Sequence, residues 1–176
     1  MTSITWFDPG VSTGIQYGVF TDTERYEMRK VWQVGNGVIG LRKWIHGGGN
    51  EVYLNADHVG AEKWIPRTME GMSHTLDSTL PLVLEGILME TELLDVYPDG
   101  NWQPATAQTL RRGKTPAESR KLTNRLLEEK GYWMTGADIG QPDSNDVNST
   151  TRHILHYLVH SLKHEPTIEW LYGEEN

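Results

Sequence analysis

Residues 4–15 read Ile4-Thr5-Trp6-Phe7-Asp8-Pro9-Gly10-Val11-Ser12-Thr13-Gly14-Ile15. An aromatic and β-branched run ends in one aspartate, a Pro-Gly turn follows at once, and a second apolar run resumes after Gly14. Such a hairpin holds a carboxylate at the rim of a sheet. Asp is also a common turn former before Pro-Gly, which is the plain alternative for Asp8.

Outward from that hairpin the pattern is mixed α and β. Residues 3–7, 14–20 and 26–34 read as strands, and the short link at Thr21–Thr23 makes them an antiparallel meander. Gly37 to His46 has helical spacing, broken by His46-Gly47-Gly48-Gly49-Asn50. Residues 50–79 are polar, with a short helix predicted near 59–71. Leu80 to Met89 is nearly all apolar, the mark of a parallel strand buried on both faces, and Glu85 interrupts it. Asp95 to Pro104 is turn-rich, and Thr106–Arg112 suggests a short helix.

Thr115-Pro116-Ala117-Glu118 opens a longer helix, with a threonine cap, a proline at the first position and an acid three residues on. It ends near Gly131. Tyr132–Thr135 reads as a last short strand, and Asp146–Lys163 as a final helix. No repeat or linker divides the 176 residues, so one domain spanning 1–176 is expected, with 47–79 as its irregular insertion.

Composition narrows the class. The chain holds no cysteine, which excludes disulfides and thiolate zinc sites and suits a reducing cytoplasm. No apolar run approaches the roughly 18 residues of a membrane span. No basic-then-apolar start marks a secretory signal, so Asn148-Ser149-Thr150 reads as a chance sequon. A net charge of −8 argues against a protein that coats DNA nonspecifically. The charge is uneven, however. Arg111, Arg112, Lys114, Arg120, Lys121 and Arg125 face Glu118 alone in one short stretch. Such a strip binds a polyanion, or is merely a solvated helix face.

The acids carry the chemistry. A lone Glu85 among apolar neighbours suffers a large desolvation cost unless it is paired or metal-bound. Asp143 and Asp146 open the last helix, where acids cap free N–H groups. Their i, i+3 spacing also puts both on one face. A calcium hand is excluded, because Ile154 stands where its bidentate glutamate belongs. His153 shares the stripe of Asp146, as a surface or core histidine or as a proton carrier. Carboxylates on separate elements suit hard oxygen-loving ions such as Mg²⁺. Two such ions clamp the attacking and leaving oxygens of a phosphodiester displacement.

Asp8-Pro9-Gly10 with Thr13-Gly14, then Leu84-Glu85-Gly86-Ile87-Leu88-Met89, then Asp143-x-x-Asp146 resembles the RuvC-type Holliday junction resolvases, and most closely their small bacteriophage versions. Gly40-Leu41-Arg42-Lys43-Trp44-Ile45 and Arg152-His153 with Tyr157-Leu158 also resemble segments of the phage proteins. The resemblance implies a ribonuclease H-like α/β fold, with three antiparallel strands followed by parallel ones and flanking helices. It implies a homodimer, Mg²⁺ or Mn²⁺ as a pair of ions, and paired nicks in four-way DNA junctions. By position, Asp8 would bridge the ions, Glu85 would hold one and orient water, and Asp143 and Asp146 would complete the site. One departure is Ser149, where phage relatives carry an aspartate; in that register Asp146 becomes the essential ligand and Asp143 dispensable. The basic strip would then contact phosphates beside the acids.

Other motifs lack their partners. His46-Gly47-Gly48-Gly49 has no Gly-x-Ser-x-Gly elbow to serve, and no phosphate-binding P-loop is present. His156 and His160 lie at i, i+4 without a third ligand and read as helix-surface residues. Three alternatives stay open: the same chemistry on RNA–DNA hybrids or forks, a phosphate- or nucleotide-binding module with a kinase-type hairpin, and a catalytically silent DNA-binding dimer.

Overall fold

In the computed structural model, which describes residues 1–63, 83, 86–88, 102–104 and 106–173, β1 (Thr2–Asp8) pairs antiparallel with β2 (Thr13–Phe20). In turn β2 pairs antiparallel with β3 (Glu27–Val34), so the meander stands as the sequence predicts. The chain then crosses one face through α1 (Gly37–Ile45) and α2 (Glu51–Leu54) and returns as β4 (His58–Lys63), parallel to β1. A parallel partner demands such a crossover. The short β5 (Trp102–Pro104) adds parallel to β4, giving the order β3-β2-β1-β4-β5. Among the described residues this is a mixed five-stranded sheet flanked by helices, as expected.

The start of β4 is fixed by side chains. Asp57 accepts from both the backbone N–H and the hydroxyl of Ser3 at 2.7 Å, and its own N–H donates back to Ser3 Oγ at 3.0 Å. The resulting register places Phe7 opposite Ala61. A one-residue slip would turn every β4 side chain to the other face.

Alternation along β1 then sorts its residues between two cores. Ile4 and Trp6 face α3 (Pro116–Glu129) and α5 (Asn145–His156), with Leu126, Leu127, Ile154, Leu155 and Leu158. Phe7 faces α1, with Ile15, Leu41, Trp44, Val59, Ala61, Ile87 and Leu88. Burying a large apolar side chain contributes about 1.5–3 kcal/mol, so the two clusters are the main force holding helices to sheet. Gly60 makes room for the Trp6 indole: a Cβ there would stand 2.6 Å from its Cε3. A short α4 (Gly136–Ile139) precedes α5, which runs on into a π-helical turn at Tyr157–Ser161, and α6 (Glu165–Tyr172) ends the described chain.

Several local expectations are corrected. The helix predicted near 59–71 is, over 58–63, the strand β4, because the run Val59-Gly60-Ala61 is buried beside β1 rather than on a helix face; its remainder, 64–71, lies outside the described residues. The strand expected over Leu80–Met89 is helical at Val83 and Gly86–Leu88, with Ile87 and Leu88 buried; a short apolar run does not by itself separate the two. Thr106–Arg112 forms turns and bends instead of a helix.

Tyr132–Thr135 is not a strand. Its first two N–H groups, of Tyr132 and Trp133, donate back to Leu127 O at 2.8 and 3.2 Å, and the next partners are side chains: Met134 N–H donates to Asn148 Oδ1 at 3.0 Å, and Met134 O accepts from Asn148 Nδ2 at 2.8 Å and Ser144 Oγ at 2.7 Å. By contrast α3 starts as read, with Thr115 Oγ1 accepting from Glu118 N–H at 3.1 Å and Pro116 at the first turn. Among the described residues no helix is long and apolar enough to cross a membrane.

Candidate active site

Two strands and one helix meet at the carboxyl end of β1. The β1–β4 register that pairs Phe7 with Ala61 carries Asp8 and Glu62 out side by side, on the face covered by α5. From that helix Asp146, Ser149 and His153 approach the same point. Close approach depends on Gly14, opposite Asp8 on β2: a Cβ there would strike the Asp146 backbone carbonyl and stand 2.7 Å from Thr150 Oγ1.

The carboxylates perturb one another. Asp8 is pushed up to about 7, first by burial and then by the charge of Glu62; a hydrogen bond from Ser149 opposes this. Glu62 is raised by burial, against the favourable hydrogen bond it shares with Asp8 and the nearby Arg152 charge. Asp146 is raised by burial and by Asp143 and Glu62, while Ser12 bonds to it. Raised carboxyls crowded at one rim make this the candidate site.

Glu62 is held from behind. His153 is fully buried, with Nε2 2.8 Å from Glu62 Oε2 and Nδ1 3.1 Å from Gln103 Oε1. Its ring lies nearly parallel to the Trp6 indole, at 12° and 6.3 Å between centroids. Burial drives the imidazole down to about 4, so the ring is neutral. A neutral ring donates from only one nitrogen. Facing an acceptor-only carboxylate, Nε2 carries the proton and donates to Glu62. Gln108 Nε2 donates to the same Glu62 oxygen at 3.1 Å.

Asp8, Glu62 and Asp146 line a cleft of about 1,230 Å³ together with Arg112, Lys114 and Arg120. Of the basic strip, those three share the cleft with the acids. Arg125 instead pairs with Glu129 at 2.8 Å and Arg111 lies 4.0 Å from the same carboxylate, while Lys121 is exposed outside the cleft. Asp143 sits outside it too, accepting from Gln33 Nε2 and from Asn145 N–H, each at 3.2 Å. Glu85 lies outside the described residues.

Ser149, the departure in the sequence, is buried and donates to Asp8. His156 and His160 lie 4.3 Å apart between centroids, their rings tilted by 45°, and line the same cleft, with His156 partly buried rather than on an open helix surface. Sequence reasoning missed Glu62. The available signal was the run Val59-Gly60-Ala61 ending in an acid, the counterpart of Trp6-Phe7-Asp8, but it was hidden in a polar stretch.

The donor set is all oxygen and fits a hard divalent cation. Glu62 Oε2 is committed to His153 and Gln108. Among the described residues no three His, Asp or Glu side chains already form a ligand cage. Burial first, and then neighbouring carboxylate charge, raises Asp8 and Asp146 beside Glu62, and a cation bound there would relieve both.

The fold is shared with T. thermophilus RuvC, solved in complex with a Holliday junction substrate. The TM-score is 0.53 over 97% of this chain and 98% of that one, at 12% identity. No family model and no curated protein matches the sequence. At that identity the likeness carries the RuvC-like fold.

Proposed function

We propose that this protein is a divalent-metal-dependent endonuclease that cuts branched DNA, resolving four-way junctions by paired phosphodiester hydrolysis as a homodimer of the bacteriophage type. One observation carries the reading: Asp8, Glu62 and Asp146, from three separate elements, line one cleft together with Arg112, Lys114, Arg120 and Arg152. A duplex-sized polyanion needs the cations, and phosphodiester hydrolysis needs the oxygens.

Asp8, Glu62 and Asp146 would hold Mg²⁺ or Mn²⁺, with Asp143 beside Asp146 as a further charge. When bound, the ions supply Lewis acidity and a water of lowered pKa. The rest falls to the chain's own residues. Ser149 orients Asp8, Ser12 steadies Asp146, and His153 with Gln108 fixes the Glu62 rotamer. Arg112, Lys114 and Arg120 draw the backbone into the cleft by its phosphates, which sets register without reading bases. A second protomer would present a second site to the opposed strand.

The test is cleavage of a synthetic four-way junction in Mg²⁺ or Mn²⁺, with Asp8→Asn and Glu62→Gln alongside. Both variants should lose cutting and keep junction binding. Equal cutting of linear duplex would replace the junction assignment with a general nuclease, and a monomer by sedimentation on junction DNA would remove the paired-nick model.

A further inference from the structure

Arg152 lines the same cleft as the acids. It projects from α5, is partly buried, and lies near enough to Asp8, Glu62 and Arg120 to feel the charge of each. Its described hydrogen-bond partners are neutral amides: Nε donates to Gln108 Oε1 at 2.8 Å, and Nη1 donates to Asn124 Oδ1 at 3.1 Å. Among the described residues no carboxylate forms an ion pair with it. A guanidinium has five N–H groups in a rigid fork, so three are left over. Two amides orient this cation without neutralising it, and a half-buried arginine so arranged is built for an anion.

The same arginine is tied to Glu62. Arginine only donates and an ionised carboxylate only accepts, so the Gln108 amide between them has one workable orientation. Its oxygen faces Arg152 Nε and its nitrogen faces Glu62 Oε2. Glu62 Oε2 also meets His153 Nε2. Moving the Arg152 fork therefore moves the amide that positions Glu62.

Resting on the nuclease reading above, we infer that Arg152 grips a non-bridging oxygen of the DNA phosphodiester beside the carboxylates, and that Gln108 transmits this grip to Glu62 as a positioning residue. The phosphate enters past Arg112, Lys114 and Arg120 and takes up the free N–H groups of Arg152. It thereby locks the fork, the amide and the carboxylate together.

The experiment measures junction affinity of the full chain by fluorescence anisotropy over a salt series in EDTA, and single-turnover cleavage in Mn²⁺. Arg152→Gln should lose about ten- to a hundredfold in affinity, the worth of a charge-assisted contact, and its log–log salt slope should flatten by about one. Arg152→Lys keeps the charge without the fork, so its slope should be that of the natural protein while cleavage falls. Gln108→Leu should lose more in cleavage than in affinity, and a loss confined to affinity would overturn its positioning role.

A folded Arg152→Gln with unchanged affinity and slope overturns the inference. Should that variant not fold, Arg152→Lys decides: cleavage at the natural rate overturns it, and slowed cleavage with unchanged slope upholds it. Natural protein that cuts no DNA while Arg152→Gln still weakens binding would sink the nuclease reading and leave the phosphate grip standing. Natural protein that cuts while both Arg152 variants behave normally would sink the grip alone.

Discussion

Gly14 on β2 and Asp146 on α5 touch through backbone: the space that a Gly14 side chain would fill is taken by the Asp146 carbonyl. That contact lets the first turn of α5 descend onto the sheet edge where Asp8 ends β1. Gly14→Ala must therefore push the helix away, an overpacking that costs about 1–3 kcal/mol. The displacement falls on Asp146 itself. We expect a lowered denaturation midpoint together with a smaller stabilisation by Mn²⁺ than the natural protein shows. A lowered midpoint with the full Mn²⁺ response would mean that the helix adjusts without moving its carboxylate.

Asp8 should make the metal-free protein less stable as pH rises. In the unfolded chain its carboxyl ionises near 3.8, whereas in the folded protein burial and the Glu62 charge push it up to about 7. Between those values the folded state keeps a proton that the unfolded state has lost. The Asp8 contribution is thus whole below 3.8, drains away as pH rises through 7, and leaves a penalty above it. Asp8→Asn carries no such penalty. In EDTA its Tm should exceed that of the natural protein above pH 7, and the gap should close toward pH 4. A gap that stays constant with pH would show that Asp8 titrates normally.

The antiparallel hairpin, Asp8 and the Thr115-Pro116 helix start were legible because each is a local pattern: alternation, a Pro-Gly turn, a cap. Asp146 was legible for the same reason, as an acid opening a helix. Glu62 was not. Its strand is central, but the buried run is only Val59-Gly60-Ala61, and glycine is present there to admit the Trp6 ring from the neighbouring strand. The signal that places Glu62 is the pairing of Phe7 with Ala61, a contact between residues far apart in sequence. Tyr132–Thr135 misled in the opposite sense: it has the residues of a strand, yet the partners of Met134 are the Asn148 and Ser144 side chains.

That arrangement makes Asn148 a structural residue beside a functional one. Its amide gives and takes one backbone hydrogen bond with Met134, much as a strand neighbour would, and the residue is 1% exposed. Asn148→Ala leaves the Met134 N–H without its partner in a half-buried place. A loss of about 1–3 kcal/mol follows, read as a fall in the urea midpoint at unchanged m. Asn148→Asp restores the acceptor but removes the donor, and should recover part of the loss. Equal stability of all three proteins would mean that the segment is held by its apolar contacts alone.

The basic strip should divide by where its members point. Arg120 lines the cleft beside Arg152, whose pKa is held down first by burial and then by the Arg120 charge, whereas Arg125, on the same helix, faces solvent and pairs with Glu129. A phosphate drawn toward Asp8 meets Arg120 and not Arg125. Arg120→Gln should therefore weaken junction binding and flatten its log–log salt slope by about one. Arg125→Gln surrenders an exposed i, i+4 pair worth about 0.3–0.5 kcal/mol of stability and should leave both affinity and slope as they were. Equal losses from the two substitutions would mean that DNA lies along the whole helix rather than entering the cleft.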